Sequence, residues 1–184
     1  MIDEAKIDFL VRTNTTNEDD ALSNCVQASF KHNKIYLGGC DSIPWSQRYE
    51  LHQSIKTELH RLSQQYIADE VTEAHHESNI QNFANLISEE HGTILVGGRF
   101  NIGTSQKGLN LYLKFMWCMG RMPSEPIHCP LDNRILVAAK VTGSWTMLDD
   151  IETYRSWITK IRSTAGGDSL PVWELAVWNK GNKA

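Results

Sequence analysis

The residues best suited to do chemistry in this chain are two lysines and an aspartate. Lys107, Asn110 and Lys114 interrupt a stretch that is otherwise apolar, set among Leu109, Leu111, Tyr112, Leu113, Phe115, Met116, Trp117 and Met119. At about 100° per residue, seven steps bring Lys114 back to within about 20° of Lys107, so the polar residues form one line on a buried helix. A lysine without a partner is costly to bury, which places that line at the border of a cleft. Asp132 precedes N-R-I-L-V-A-A-K and stands where a carboxylate caps a helix. A desolvated lysine has a lowered pKa and acts as an amine nucleophile. A carboxylate at a helix N-terminus stays ionised and stabilises a cationic transition state. Attack at a sugar anomeric carbon uses such a pair. The plain alternative is that the lysines snorkel to solvent and Asp132 is a cap.

Other chemistries find less support. The chain has no G-x-x-x-x-G-K-[ST], G-x-S-x-G, H-E-x-x-H or EF-hand loop. Cys25, Cys40, Cys118 and Cys129 show no C-x-x-C spacing, which predicts free thiols, no metal site and no iron–sulfur centre. His52 and His60 lie eight apart, and His75 and His76 are adjacent, so neither pair has the spacing of metal ligands. His128 and Cys129 are neighbours whose side chains lack the geometry of a nucleophilic pair. No cofactor is called for.

The elements that position these groups read as helices. Asn17 caps a helix with inward Leu22, Cys25, Val26, Ser29 and Phe30; before it, residues 1–16 are a short helix or docking arm. A glycine- and proline-broken connector over 35–44, with Asp41 or Ser42 as the cap, leads to a helix over 45–68. Another spans 72–90, with Ile80, Phe83, Ala84 and Ile87 inward, His75 and His76 on its polar first turns, and Gly92 as its stop. Thr93 to Val96 is β-leaning, an isolated strand or extended segment. The glycines Gly97, Gly98 and Gly103 mark a loop able to offer backbone N–H groups to a phosphate. The central helix is predicted from Thr104 or Ser105 to Gly120, followed by a loop stiffened by Pro123, Pro126 and Pro130. A helix from Leu148 or Asp149 to the Gly166-Gly167 pair, a last helix with Pro171 in its first turn, and a tail over 180–184 complete the chain. The fold class is therefore all-α, one helical domain over residues 1–184.

The chain of 184 residues has a formal net charge of −4, unevenly spread. Residues 1–96 hold 7 lysines and arginines against 15 aspartates and glutamates, whereas residues 97–140 hold 6 against 2. A basic central block suits an anionic partner. The start, M-I-D-E-A-K-I-D, has no apolar signal core, and no apolar run approaches a membrane span. A cytoplasmic location away from the membrane is expected.

Two segments resemble the helix-hairpin-helix base-excision DNA glycosylases. Q-K-G-L-N-L-Y-L-K runs from Gln106 to Lys114 and P-L-D-N-R-I from Pro130 to Ile135. In that family a catalytic lysine lies early in a helix, and a P-[VL]-D-x-x-[VI] segment supplies an aspartate that caps the next. The chain is most similar to the divergent archaeal 8-oxoguanine branch, where a second lysine follows seven residues after the first and an arginine two after the aspartate. The resemblance covers about 40 of 184 residues. It implies DNA as partner, Lys107 as Schiff-base nucleophile, Asp132 as catalytic carboxylate and Arg134 as a support. Arg99, Asn110 and Lys114 then contact backbone or base. Ahead of Lys107 the chain reads G-G-R-F-N-I-G-T-S-Q-K where the family usually has L-P-G-V-G. The competing reading is a non-catalytic helical module that binds nucleic acid or protein.

Overall fold

The described residues form eight helices, arranged about one buried helix of their own number. The computed structural model describes residues 2–31 and 33–181, so residues 182–184 of the expected tail lie outside the described residues. The helices are α1 (Ile2–Arg12), α2 (Glu18–Phe30), α3 (Trp45–Ala68), α4 (Glu73–His91), α5 (Ile102–Cys118), α6 (Asn133–Ala138), α7 (Ile151–Ala165) and α8 (Leu170–Lys180). No strand occurs among the described residues. The β-leaning segment contributes only an isolated antiparallel bridge from Leu95 to Tyr36, flanked by two short 3-10 turns.

Helix α5 is the axis. Every residue from Ile102 to Trp117 is buried, and α1, α2, α3, α4 and α7 all touch it. Such complete burial needs apolar side chains on all sides, with small residues where neighbours come closest. At Gly108 α2 and α4 come within ordinary van der Waals reach, with an added Cβ 3.4 Å from Ser29 and 3.6 Å from Phe83. Ile80, Phe83, Ala84 and Ile87 of α4 form its fully buried inner face, and Leu51, Ile55, Leu59 and Leu62 of α3 continue the same core.

The caps explain most helix starts. Asn17, Thr72, Asp132 and Asp150 each accept a backbone N–H three residues on, satisfying a donor the helix itself leaves free. Neither Asp41 nor Ser42 caps α3; Pro44 occupies that position without a side-chain bond, and α3 starts at Trp45. The central helix begins at Ile102, earlier than its sequence pattern indicates. Asn101 caps it by accepting the N–H and hydroxyl of Thr104, both at 2.8 Å. Glycine at 103 is tolerated there because the backbone of the 145–148 turn lies against it: a Cβ would sit 1.7 Å from the Trp145 carbonyl oxygen. The N-terminal stretch is helical, with Phe9 buried between Phe115 of α5 and Trp178 of α8.

Candidate active site

Two of the three glycines in the loop ahead of α5 turn their N–H groups into the fold. The Gly98 N–H donates to Leu95 O at 3.0 Å and the Gly103 N–H to Leu148 O at 2.7 Å, so both are spent within the fold. Arg99 is likewise engaged elsewhere. Its guanidinium meets Asp149 at 3.0 Å and Asn85 at 2.8 Å, and it does not line the cleft that Lys107 borders.

That cleft, about 570 Å³, opens between α1, α2, α5, α6 and α8. Lys107 reaches it from α5, and its Nζ donates to Asp132 Oδ2 at 2.8 Å. Asp132 divides its two oxygens. Oδ1 accepts the Ile135 N–H at 3.1 Å as the cap of α6, while Oδ2 faces Lys107. Burial pushes the Asp132 carboxyl up, but Lys107, the Ile135 N–H and Arg134 outweigh it and hold it below its ordinary value. The carboxylate is therefore ionised at neutral pH and retains some exposure, 26% of its side chain, against 9% for Lys107.

Gln106 sets this geometry. Its Nε2 donates to Leu131 O at 2.9 Å and its Oε1 accepts the Leu131 N–H at 3.0 Å, so one side-chain amide pairs both polar groups of the residue before Asp132. A segment 25 residues away in sequence is thereby fixed beside Lys107. Gln106 adjoins the lysine, but nothing in the sequence pattern distinguishes it from any buried glutamine.

The polar line on α5 divides. Lys107 and Lys114, nearly eclipsed down the helix, both line the cleft. Asn110 lies about 60° off that line and turns to α7, donating to Tyr154 Oη at 3.0 Å at zero exposure. It is a core residue, away from the cleft that sequence reasoning assigned to it. Lys114 is itself 1% exposed and meets Glu174 of α8 at 2.6 Å, with the Phe9 ring 4.0 Å below its ammonium. Glu174, 2% exposed, had no sequence signal: its partner is 60 positions away. Arg134 lines the cleft and donates to Trp178 O at 3.0 Å, tying α6 to the C-terminal end of α8, where a cation is favoured. Trp145, Trp178 and Phe115 give the cleft aromatic walls. Four cations, Lys31, Lys107, Lys114 and Arg134, line it against two carboxylates, Asp132 and Glu174. The charge of the cleft is thus opposite to that of the whole chain.

No protein-family model, no curated protein and no solved structure matches this chain. Its chemistry is read from its own geometry.

Among the described residues, no group of three histidine, cysteine, aspartate or glutamate side chains is placed to hold a metal ion, and no helix is long and apolar enough to cross a membrane. His76 is fully buried, contrary to its place on a polar turn in the sequence pattern. Its Nδ1 lies 2.7 Å from Tyr66 Oη and its ring packs edge-to-face on His128 at 4.7 Å. His128 bridges Tyr154 and Glu73 at 2.9 and 2.8 Å. Burial, with His128 nearby, holds His76 well below its ordinary pKa, and burial lowers His128 despite Glu73. Cys129 is buried and its thiol is pushed up, first by desolvation and then by Glu174. A thiol so protonated is inert.

Proposed function

We propose that the chain is a DNA N-glycosylase with lyase activity, acting through Lys107 and Asp132. The observation that supports it is the ion pair itself. Amine and carboxylate meet at 2.8 Å on the wall of a net-positive, aromatic-lined cleft, at the two positions singled out by the glycosylase resemblance. A nucleotide flipped out of the duplex would enter the cleft, with its base against the indole rings of Trp145 and Trp178 and its phosphates towards Lys31 and Arg134.

The chemistry then follows from charge. As the glycosidic bond breaks, the departing base takes the bond's electron pair and the proton of the Lys107 ammonium. Positive charge develops on the sugar, and the ionised Asp132 stabilises it. The amine, now neutral, adds to C1′, and the secondary ammonium so formed gives one of its two protons to solvent. The C1′–O4′ bond then breaks with O4′ taking a proton from solvent, which gives an iminium; loss of a C2′ proton to solvent expels the 3′ phosphate with the electron pair of the C3′–O bond. Entry of the base expels water and strengthens each of these interactions.

The same contact has a structural use, since Lys107 also neutralises a partly buried cap. That second reading requires loss of stability, and no loss of product, when Lys107 is replaced. A duplex panel with one modified base per substrate, scored for base release and strand nicking, separates them. The glycosylase reading expects product from the native chain, little from Lys107→Gln, and base release slowed about 10²-fold or more in Asp132→Asn, the usual cost of a lost transition-state charge. Equal products from native and Lys107→Gln chains would refute it.

A further inference from the structure

Helix α2 separates the Lys107 cleft from a second, larger cavity. Asn24, Ala28 and Lys31 face the cleft, whereas Ser23, Val26 and Phe30 face the cavity, which measures about 920 Å³. That volume is near the top of the range for small-molecule sites, about 300–1,000 Å³.

Its charge is one-sided. Arg48, His52 and Lys56 follow one another at four-residue steps along α3, which places them in a single stripe, and all three line the cavity. Lys34 joins them from the connector after α2, and no aspartate or glutamate is among the lining residues. These cations are poorly satisfied. Arg48 donates from Nη1 to the Cys40 thiol at 2.7 Å, a weak acceptor, and its buried Nε has no hydrogen-bond partner. Lys56 donates to the Ser23 hydroxyl at 2.9 Å. An arginine whose buried N–H lacks an acceptor leaves a desolvation cost that an anion would remove.

The remaining wall is aromatic and apolar. Phe30 meets Tyr36 edge-to-face at 5.7 Å and His52 at 5.1 Å. Tyr36 Oη lies 2.9 Å from His52 Nε2. Burial, then Cys40, pushes the phenol up to about 12, so it stays protonated and donates. Desolvation, then Lys56 and Arg48, lowers His52, which accepts as a neutral ring. A cationic stripe beside an aromatic face fits a planar heterocycle carrying a phosphate.

We infer that this cavity binds a free mononucleotide, its phosphate on Arg48 and Lys56 and its base against Phe30 and Tyr36. The inference does not depend on the glycosylase reading, because Lys107 and Asp132 line the other cavity.

Calorimetric titration of the full chain with AMP, GMP, CMP and UMP tests it, with inorganic phosphate, adenosine and a 5′-phosphorylated dinucleotide as separate arms. At least one mononucleotide is expected to bind, with phosphate and adenosine each about tenfold weaker or more, since each lacks half of the recognition. Arg48→Gln and Lys56→Gln are expected to weaken binding about tenfold or more while melting as the native chain does, and Lys107→Gln to bind normally. Four outcomes would overturn the inference: no mononucleotide bound, adenosine equal to AMP, binding indifferent to both α3 substitutions, or the dinucleotide bound more tightly than any mononucleotide. The last would assign the cavity to the end of a nucleic acid strand.

Discussion

Asp132 does two things with one carboxylate, and substitutions can part them. Asparagine caps a helix as well as aspartate does, so Asp132→Asn is expected to keep the α6 cap and lose the charge facing Lys107. Asp132→Ala loses both, with a cap cost of about 1 kcal/mol. Urea unfolding should therefore rank alanine below asparagine, whereas base release should fall in both. Lys114 and Glu174 make the opposite case, a pair at 1% and 2% exposure buried in the wall of the cleft. Removing one partner strands a charge in the core, and Lys114→Met or Glu174→Leu alone should cost about 3–5 kcal/mol. The double substitution should recover most of that loss in the same unfolding experiment. A double variant no more stable than the worse single one would mean that the pair is not what these side chains contribute.

At the scale of elements, the site depends on two contacts that bring distant segments to the start of α5. Gln106 holds the backbone of Leu131, and Gly103 receives the 145–148 turn that carries Trp145. Gln106→Leu would leave two buried backbone groups unpaired, at about 1–3 kcal/mol each, and should lower the rate beyond what its stability loss explains, because Asp132 is no longer fixed. Gly103→Ala would force the turn away and should destabilise by about 1–3 kcal/mol, as overpacking does. A crystal structure of the alanine variant should show Trp145 displaced from the cleft. Both contacts mark where the sequence stopped being legible. The caps Asn17 and Asp132 and the ends of α3 could be read directly, because a cap or an apolar stripe is a local pattern. The early start of α5 could not be, since Gly103 looks like a breaker until the Trp145 carbonyl is seen against it. Asn110 looked like part of a polar seam because i, i+3 neighbours lie close in projection; about 60° of rotation was enough to send it to Tyr154 instead. Glu174 and the buried His76 depend on partners brought by the fold, and no window of sequence contains them.

For the molecule as a whole, polar groups run through the core, and their titration should set its stability. His76 and His128 are both held below their ordinary pKa near 6.5. The unfolded chain therefore binds protons that the folded one refuses, and stability present above pH 6.5 is lost as pH falls below it. Denaturant midpoints should drop between pH 7.5 and 5.5, and His76→Phe should flatten that dependence; a profile level across this range would contradict the buried, neutral assignment. The acidic N-terminal half and the positive cleft also act together at this scale. Phosphate contacts dominate non-specific DNA binding, and the salt dependence grows with their number, so a chain of net charge −4 should hold undamaged duplex weakly and with a shallow salt dependence. The most direct measurement is borohydride reduction of the protein on duplex DNA carrying an abasic site, followed by mass spectrometry of the peptides. The account predicts a covalent sugar adduct on Lys107, absent from Lys107→Gln. An adduct on another lysine, or one that persists in Lys107→Gln, would contradict it.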